Sequence, residues 1–175
     1  MTRPTVYFVR HGETDWNAEG RWQGHADVPL NERGRTQARA LAERLAGDGR
    51  VDIVYASDLA RARETAEIAA LRLGVEFVLD PDLREIDVGS REGRTWSEID
   101  DEAQWDGEPA AAHAERVLHA LQRIAGAHPG RRVLVVTHGG SVRRIHEHVG
   151  AEIVPIANCA VWACACENGA FRALD

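Results

Sequence analysis

Short apolar runs alternate with amphipathic stretches along most of this chain. Runs of this length, bounded by glycine, proline or polar residues, predict buried strands. They cover about residues 6–9, 51–56, 75–79 and 132–136. Between and after them lie stretches that predict helices, over about residues 30–46, 59–73, 110–127 and 141–149. Strands that alternate with helices predict an α/β fold with a largely parallel central sheet.

Two boundaries in this pattern carry specific signals. Ser57-Asp58 is typical of the pair that caps a helix, so we expect the second helix to be capped there. Near the end of the chain, residues 158–166 and 170–174 predict two strands joined by a tight turn at Asn168-Gly169. No internal repeat, low-complexity tract or linker interrupts the pattern, so we expect one domain over residues 1–175.

Composition narrows the classes of partner. The 175 residues carry a formal net charge of −7, and every basic residue is an arginine. This acidic balance argues against general binding to nucleic acid or to an anionic membrane, and an anionic substrate would need a local basic pocket. The N-terminal residues hold only a short apolar run, and no run approaches a membrane span, so we expect a cytoplasmic protein.

The cysteines lie late in the chain, at Cys159, Cys164 and Cys166. Their odd number and their strand-like surroundings fit reduced thiols in the core of a cytoplasmic protein. A metal site formed by these cysteines is the more specific alternative. The spacing of these cysteines matches no standard zinc knuckle, and we expect no metal ion there.

Reactive side chains follow three of the predicted strands. Arg10 and His11 end the first strand, Arg61 follows the second, and His138 follows the fourth. Because the carboxyl ends of parallel strands share one edge of a sheet, we expect these side chains to converge. A neutral histidine is a nucleophile and the planar fork of arginine matches phosphate, which favours attack by His11 on a phosphoryl group. The structural alternative is a histidine that only bonds to backbone at the end of its strand.

The position of Arg61 adds to this interpretation. It lies in the first turn of its predicted helix, where the helix dipole favours an acid. A bound anion would relieve the conflict, since free helix N–H groups and the guanidinium would both face it. The alternative is an arginine that reaches a surface carboxylate.

Four blocks of sequence surround these residues and are spread over most of the chain. They are Arg10-His11-Gly12-Glu13-Thr14, Ser57-Asp58-Leu59-Ala60-Arg61-Ala62, Leu83-Arg84-Glu85-Ile86-Asp87-Val88-Gly89 and Val136-Thr137-His138-Gly139-Gly140. In content and order they resemble the signature of the histidine phosphatase superfamily, the phosphoglycerate-mutase-like proteins. The resemblance implies a three-layer α/β/α sandwich around a mostly parallel sheet.

The resemblance also implies roles for individual residues. His11 would accept the phosphoryl group, and Glu85 would give a proton to the leaving oxygen. The phosphate would be surrounded by Arg10, Arg61 and His138. Hydrogen bonds at the pocket wall would come from Asn17, Gln23, Gly24 and Gly139. On local grounds alone Glu85 is an ordinary loop carboxylate, and Glu13 is the competing acid.

Three departures from the family pattern bear on the substrate. Glu85 and His138 are 53 positions apart, whereas the mutases of the family carry a long insertion between them that covers the pocket. This favours a phosphatase with a small lid, which we place at residues 94–113. Gly107-Glu108-Pro109 stands where relatives often have Gly-Glu-Ser. Ser90-Arg91 replaces a segment that often holds an acidic residue and a tryptophan in relatives, and Arg91 and Arg94 either bind a second anionic group or are solvated.

The sequence therefore predicts a metal-independent phosphomonoesterase that needs no cofactor and acts on a small phosphorylated metabolite through a phosphohistidine intermediate. Three alternatives remain open at this point. They are a phosphoglycerate mutase dependent on 2,3-bisphosphoglycerate, a metallohydrolase, and a non-catalytic protein that binds a phosphate ligand. We expect a monomer or a homodimer.

Overall fold

A computed structural model describes residues 5–48, 51–99, 104–167 and 170–174. Four parallel strands form one part of its sheet: β1 (Thr5–Arg10), β2 (Ile53–Ala56), β3 (Phe77–Leu79) and β4 (Arg132–Thr137). Two antiparallel strands extend it, β5 (Val161–Glu167) and β6 (Ala170–Ala173). The order across the sheet is β3-β2-β4-β1-β5-β6. This confirms the α/β prediction and the two terminal strands, whose connecting residues 168–169 lie outside the described part.

Helices cover both faces of the sheet. They are α1 (Asp15–Ala18), α2 (Glu32–Asp48), α3 (Ala60–Leu73), α4 (Ala110–Ala127) and α5 (Gly139–Val149). Single 3-10 turns lie at Pro81–Leu83, Gly89–Arg91 and Trp96–Glu98. No helix in the described ranges is long and apolar enough to cross a membrane.

Strand β4 shows how the sheet separates two apolar layers. Val133 and Val135 pack with the buried residues of α4 and α5, including Leu121 and Ile145. Leu134 and Val136 point the other way and pack against apolar residues of α2 and α3. Because successive side chains of a strand alternate between faces, one apolar strand serves both cores. The result is the three-layer sandwich that the sequence predicts.

The start of α3 differs from the prediction. The residue that caps the helix is Leu59, and its side chain makes no capping hydrogen bond. The carboxylate of Asp58 is instead bound by the guanidinium of Arg84, with Nε to Oδ1 at 2.7 Å. The N–H of Ala60 donates to Oδ1 of Asp27 at 2.6 Å. A carboxylate from a distant loop therefore replaces the local cap that Ser57-Asp58 predicts, and that prediction is wrong.

The cysteines lie in or next to β5. Cys164 and Cys166 are buried, Cys159 is half-buried, and all three are free thiols. Burial raises the pKa of the Cys159 thiol to about 12 and that of Cys164 to about 11, so both thiols stay protonated at neutral pH.

Candidate active site

His11 and His138 lie next to each other at the carboxyl edge of the sheet. Strands β1 and β4 are neighbours whose register pairs Arg10 with Thr137, so the following residues emerge side by side. The ring centroids of the two histidines are 5.2 Å apart, and the rings are inclined at 60°. His11 is 3% exposed and His138 0%. The structure thus brings together two histidines that are far apart in the sequence.

One ring nitrogen of His11 is held by backbone. Its Nδ1 lies 2.7 Å from the carbonyl oxygen of Gly12. A carbonyl oxygen only accepts, so Nδ1 carries the proton and Nε2 of the neutral ring keeps its lone pair. The backbone hydrogen bond that the structural alternative predicts for His11 is therefore present. The same bond fixes the tautomer of His11 that a nucleophile needs.

Burial and charge keep His11 neutral. Removal from water lowers the pKa of its imidazole well below the ordinary value of 6.5, and the guanidinium groups of Arg61 and Arg10 lower it further. The pKa of His138 is also lowered well below that value, first by burial and then by Arg61. Both imidazoles are therefore uncharged at neutral pH.

Arg61 is a buried cation held in a fixed orientation. It is 1% exposed, and its terminal nitrogens donate to the carbonyl oxygens of Ala26 at 2.7 Å and Gly24 at 2.8 Å. Burial lowers the pKa of its guanidinium to about 10, so the group remains charged at neutral pH. The hydroxyl of Thr65 donates to the Arg61 carbonyl at 2.7 Å and accepts the N–H of Gly12 at 3.0 Å. The start of α3 is thereby tied to the residue after His11.

Several buried nitrogen atoms around this point have no hydrogen-bond partner within the described part of the chain. They are Nε of Arg10, Nε of Arg61 and both ring nitrogens of His138. Buried polar groups in proteins are nearly always hydrogen-bonded, so a cluster of unpaired ones needs an explanation. Two guanidinium groups in this cluster favour an anion.

Glu85 is positioned by backbone. Its Oε2 accepts the N–H of Gly140 at 2.9 Å, at the start of α5, and its Oε1 accepts the N–H of Ile86 at 3.0 Å. The side chain is 16% exposed, and it lines the same cavity as His11. The competing acid, Glu13, binds Asn31 and Arg33 instead.

A cavity of about 740 Å³ opens at this edge of the sheet. The predicted site residues that line it are Arg10, His11, Asn17, Gln23, Gly24, Arg61, Glu85 and Gly139. The side chain of Asn17 accepts the N–H of Thr14 at 3.2 Å, and Gln23 accepts the Thr14 hydroxyl at 2.9 Å. The arginines that line its outer part are Arg21, Arg143 and Arg144 rather than Arg91 and Arg94. Residues 100–103 of the predicted lid lie outside the described residues, and the lid stays a prediction.

Sequence reasoning missed the residues that hold the catalytic candidates in place. Arg116 donates to the carbonyl oxygens of Asp82, Arg84 and Glu85, and it forms a two-point ion pair with Glu108. His25 donates to the Glu85 carbonyl at 2.9 Å, and Asn158 donates to the His11 carbonyl at 2.9 Å. Apart from the ion pair of Arg116 with Glu108, which is eight positions away, each contact joins residues at least 31 positions apart, so no local signal could have revealed it.

The buried residue His113 is also near the acid. Its side chain is 0% exposed, and Nε2 lies 3.8 Å from Oε1 of Glu85. Its ring also lies 3.1 Å from the hydroxyl of Ser141. A histidine on α4 therefore contacts α5 directly beside the carboxylate.

Comparison with known proteins agrees with this geometry. Residues 6–174 match the family model of the histidine phosphatase superfamily, branch 1. The chain belongs to this superfamily. It is 42% identical to phosphoglycerate mutase-like protein 4 of Arabidopsis thaliana over 159 residues, which are 81% of this chain and 69% of that protein. It is 43% identical to a metal-independent phosphoserine phosphatase of the same plant over 158 residues, 81% of this chain and 66% of that protein.

A solved structure shares the whole fold. A mycobacterial glucosyl-3-phosphoglycerate phosphatase in complex with VO3 superimposes with a TM-score of 0.86 at 27% identity, covering 98% of this chain and 96% of the other. The chain thus spans about two thirds of the curated relatives and nearly all of this structural neighbour. Together the similarities support a phosphatase of the phosphohistidine type.

Proposed function

We propose that this protein hydrolyses a phosphate monoester, with His11 as the nucleophile and Glu85 as the general acid and base. The observation that carries the proposal is the cluster of buried, unpaired donors on Arg10, Arg61 and His138 beside the imidazole of His11. An ester phosphate supplies the anionic oxygens that these donors lack. The adjacent His11 Nε2 supplies the lone pair that attacks phosphorus.

The first step forms a phosphohistidine. Nε2 of His11 bonds to phosphorus as the bond from phosphorus to the ester oxygen breaks, and Glu85 gives its proton to that oxygen. The products are an alcohol, phospho-His11 and the carboxylate of Glu85. Phosphoryl transfer depends on in-line placement and on neutralisation of charge on the equatorial oxygens. Arg10 and Arg61 supply the positive charge, and the neutral ring of His138 supplies a hydrogen bond.

The second step restores the enzyme. Water attacks phosphorus, the bond to Nε2 breaks, and the Glu85 carboxylate takes the proton from the water. Phosphate leaves, with His11 neutral and Glu85 protonated again. Glu85 is suited to both steps because Gly140 and Ile86 fix its oxygens in the cavity that holds His11.

The substrate class that we propose is a phosphate ester of an alcohol. Two names among the relatives, phosphoserine phosphatase and glucosyl-3-phosphoglycerate phosphatase, describe enzymes that act on such esters. Phosphoglycerate mutase activity is the nearest alternative, and it would require a bisphosphorylated primer.

The decisive variant is His11→Ala, with His119→Ala as the control because His119 is an exposed histidine of α4. We expect His11→Ala to fold normally and to lose at least about a thousandfold in hydrolysis of an aryl phosphate, because it removes the nucleophile. Acid-quenched wild type, given labelled substrate, should carry a phosphohistidine that His11→Ala lacks. Unchanged turnover in His11→Ala would refute the covalent mechanism.

Chelation tests the metallohydrolase alternative. We expect activity to persist after treatment with EDTA, since the proposed chemistry uses imidazole, guanidinium and carboxylate groups alone. Loss of activity that zinc or manganese restores would contradict the proposal. Isomerisation of phosphoglycerate only in the presence of 2,3-bisphosphoglycerate would favour the mutase.

A further inference from the structure

The cavity is much larger than a phosphate group requires. Its 740 Å³ lie in the range of pockets that hold whole small molecules. The phosphate end is formed by the residues around His11. The same cavity is also lined by Trp16, Trp22, Trp96 and Trp105, which we call the tryptophan wall.

Three indoles of the tryptophan wall form an aromatic cluster around Trp22. The ring of Trp22 is 4.8 Å from that of Trp96 and 6.5 Å from that of Trp105. Trp96 is 70% exposed, which is unusual for the largest apolar side chain. An exposed indole that belongs to an aromatic cluster at a cavity is well suited to cover a ligand.

Backbone contacts hold this wall in place. Trp22 donates its N–H to the carbonyl of Arg94 at 2.9 Å, and Gly93 donates to the Trp22 carbonyl at 2.8 Å. The indole N–H of Trp105 donates to the Glu108 carbonyl at 3.0 Å. The indole nitrogen of Trp22, in contrast, is buried without a partner among the described residues. The wall is therefore largely pre-formed, with one donor still to be satisfied.

One arginine at the cavity is also unpaired. Arg21 forms ion pairs with Glu19 and Glu98, and Arg144 pairs with Glu147. Arg143 lies near the start of α5, is exposed, and has no ion pair within the described ranges. An exposed guanidinium without a counter-ion at the cavity can bind an anionic group of a ligand.

We propose that the leaving group of the substrate is an alcohol that carries a ring with an apolar face and a second anionic group. The ring packs on the tryptophan wall while the anionic group binds Arg143. This inference rests on the proposed phosphatase function, and it adds the chemistry of the part of the substrate beyond the phosphate. An aromatic ring and a sugar ring both present such a face, and the test separates them.

Four synthetic esters provide the test: ethyl phosphate, 2-phenylethyl phosphate, 2-phosphoethyl β-glucoside and 2-(4-carboxyphenyl)ethyl phosphate. All are primary alkyl phosphates with similar leaving groups, so differences in kcat/KM report the contacts of the ring and the carboxylate. We expect at least one ring to raise kcat/KM about tenfold over ethyl phosphate, and the carboxylate to add about fivefold to the phenyl ester.

Matched variants assign these gains to the structure. Trp96→Ala should reduce the ring preference to below about threefold, and Arg143→Gln should remove the carboxylate preference. Leu71→Ala serves as the control, because Leu71 is 85% exposed on α3 and does not line the cavity. It should keep both preferences.

The outcomes separate this inference from the proposed function. If all four esters are hydrolysed through His11 with kcat/KM values within about threefold of one another, the wall is not a subsite and the inference fails alone. The inference is also overturned if the ring preference persists in Trp96→Ala and the carboxylate preference persists in Arg143→Gln. If no ester is hydrolysed, or if hydrolysis does not need His11, the proposed function itself fails.

Discussion

The backbone N–H of Gly140 donates to Oε2 of Glu85 at 2.9 Å, so the first turn of α5 holds the proposed acid. The same turn follows directly from His138. The position of the carboxylate is therefore coupled to the strand end that forms the phosphate pocket. No side chain at position 140 would fit beside it, since a Cβ there would lie 2.3 Å from Oε1 of Glu85.

Gly140→Ala should displace Glu85 without unfolding the protein, because the atom that must move is the end of a side chain. We expect kcat/KM to fall about a hundredfold, the lower end of the range associated with general acid–base catalysis. The matched control is Gly126→Ala in α4, where an added Cβ meets no atom within 4 Å. That control should keep full activity and gain up to about 1 kcal/mol in stability. Equal kcat/KM for both variants would contradict this role of Gly140.

His113 should act as a positioning residue for Glu85. The Ser141 hydroxyl lies 3.4 Å from the Arg84 carbonyl, to which it can only donate, so it accepts the Nε2–H of His113 at 3.1 Å. The same Nε2 lies 3.8 Å from Oε1 of Glu85, so the imidazole packs directly beside the proposed acid. Other charged groups around His113 are Arg116, Glu108 and Arg144, and burial lowers the pKa of the imidazole so that it stays neutral.

His113→Leu should therefore lower kcat about tenfold with little change in KM, because Glu85 loses the polar neighbour beside Oε1 and is less well placed for proton transfer. His113→Gln retains a donor near the position of Nε2 and should restore most of kcat. An equal loss of kcat in both variants would indicate a packing role only, and unchanged kcat in His113→Leu would contradict the positioning role.

Replacement of the planar guanidinium of Arg116 should reduce both stability and activity. It binds three carbonyl oxygens of the segment 82–85 and both carboxylate oxygens of Glu108. Arg116→Lys keeps the charge but cannot make these contacts together, and we expect a loss of about 1–3 kcal/mol in urea unfolding and about tenfold in kcat/KM. The comparison is Arg123→Lys on the same helix. The Arg123 side chain is 56% exposed and reaches both Asp80 and Asp82 through one nitrogen, which an ammonium group can replace, so we expect a loss below about 1 kcal/mol. Similar losses of stability and kcat/KM in Arg116→Lys and Arg123→Lys would argue that Arg116 does not hold the segment 82–85 in place.

Stability should fall on mild acidification because two buried histidines resist protonation. The pKa values of His11 and His138 lie well below 6.5 in the folded protein, whereas unfolded histidine titrates near that value. Below this pH the unfolded state binds more protons, so the free energy of unfolding decreases with falling pH. The cost approaches about 1.4 kcal/mol per histidine for each pH unit. Urea unfolding at about pH 7.5 and pH 5.5 measures this loss in the free energy of unfolding. Repeating both measurements with vanadate tests whether a bound anion changes the dependence on pH.

Arg61 and His138 show what the sequence could predict about the site. Each follows a recognisable strand, and the shared edge of a parallel sheet is enough to bring them to His11. Glu85 could not be found in this way, since its loop has no regular pattern and only the resemblance singled it out. The remaining support contacts depend on packing between distant segments. Asp58 matched a capping pattern, yet its carboxylate binds Arg84, which only the folded chain brings near.

The order of the strands has a consequence for how the enzyme loses activity on heating. Strands β1 and β4 lie in the middle of the sheet, whereas β3 and β6 form its edges. Edge strands open first in local fluctuations, and central strands exchange their amide hydrogens only on global unfolding. The two histidines are thus carried by the slowest-exchanging part of the chain. On heating, we therefore expect the two histidines to stay in place until the whole protein melts, so that activity is lost at the melting transition. Loss of activity at a lower temperature would point to the loops that bear Glu85 and the tryptophans.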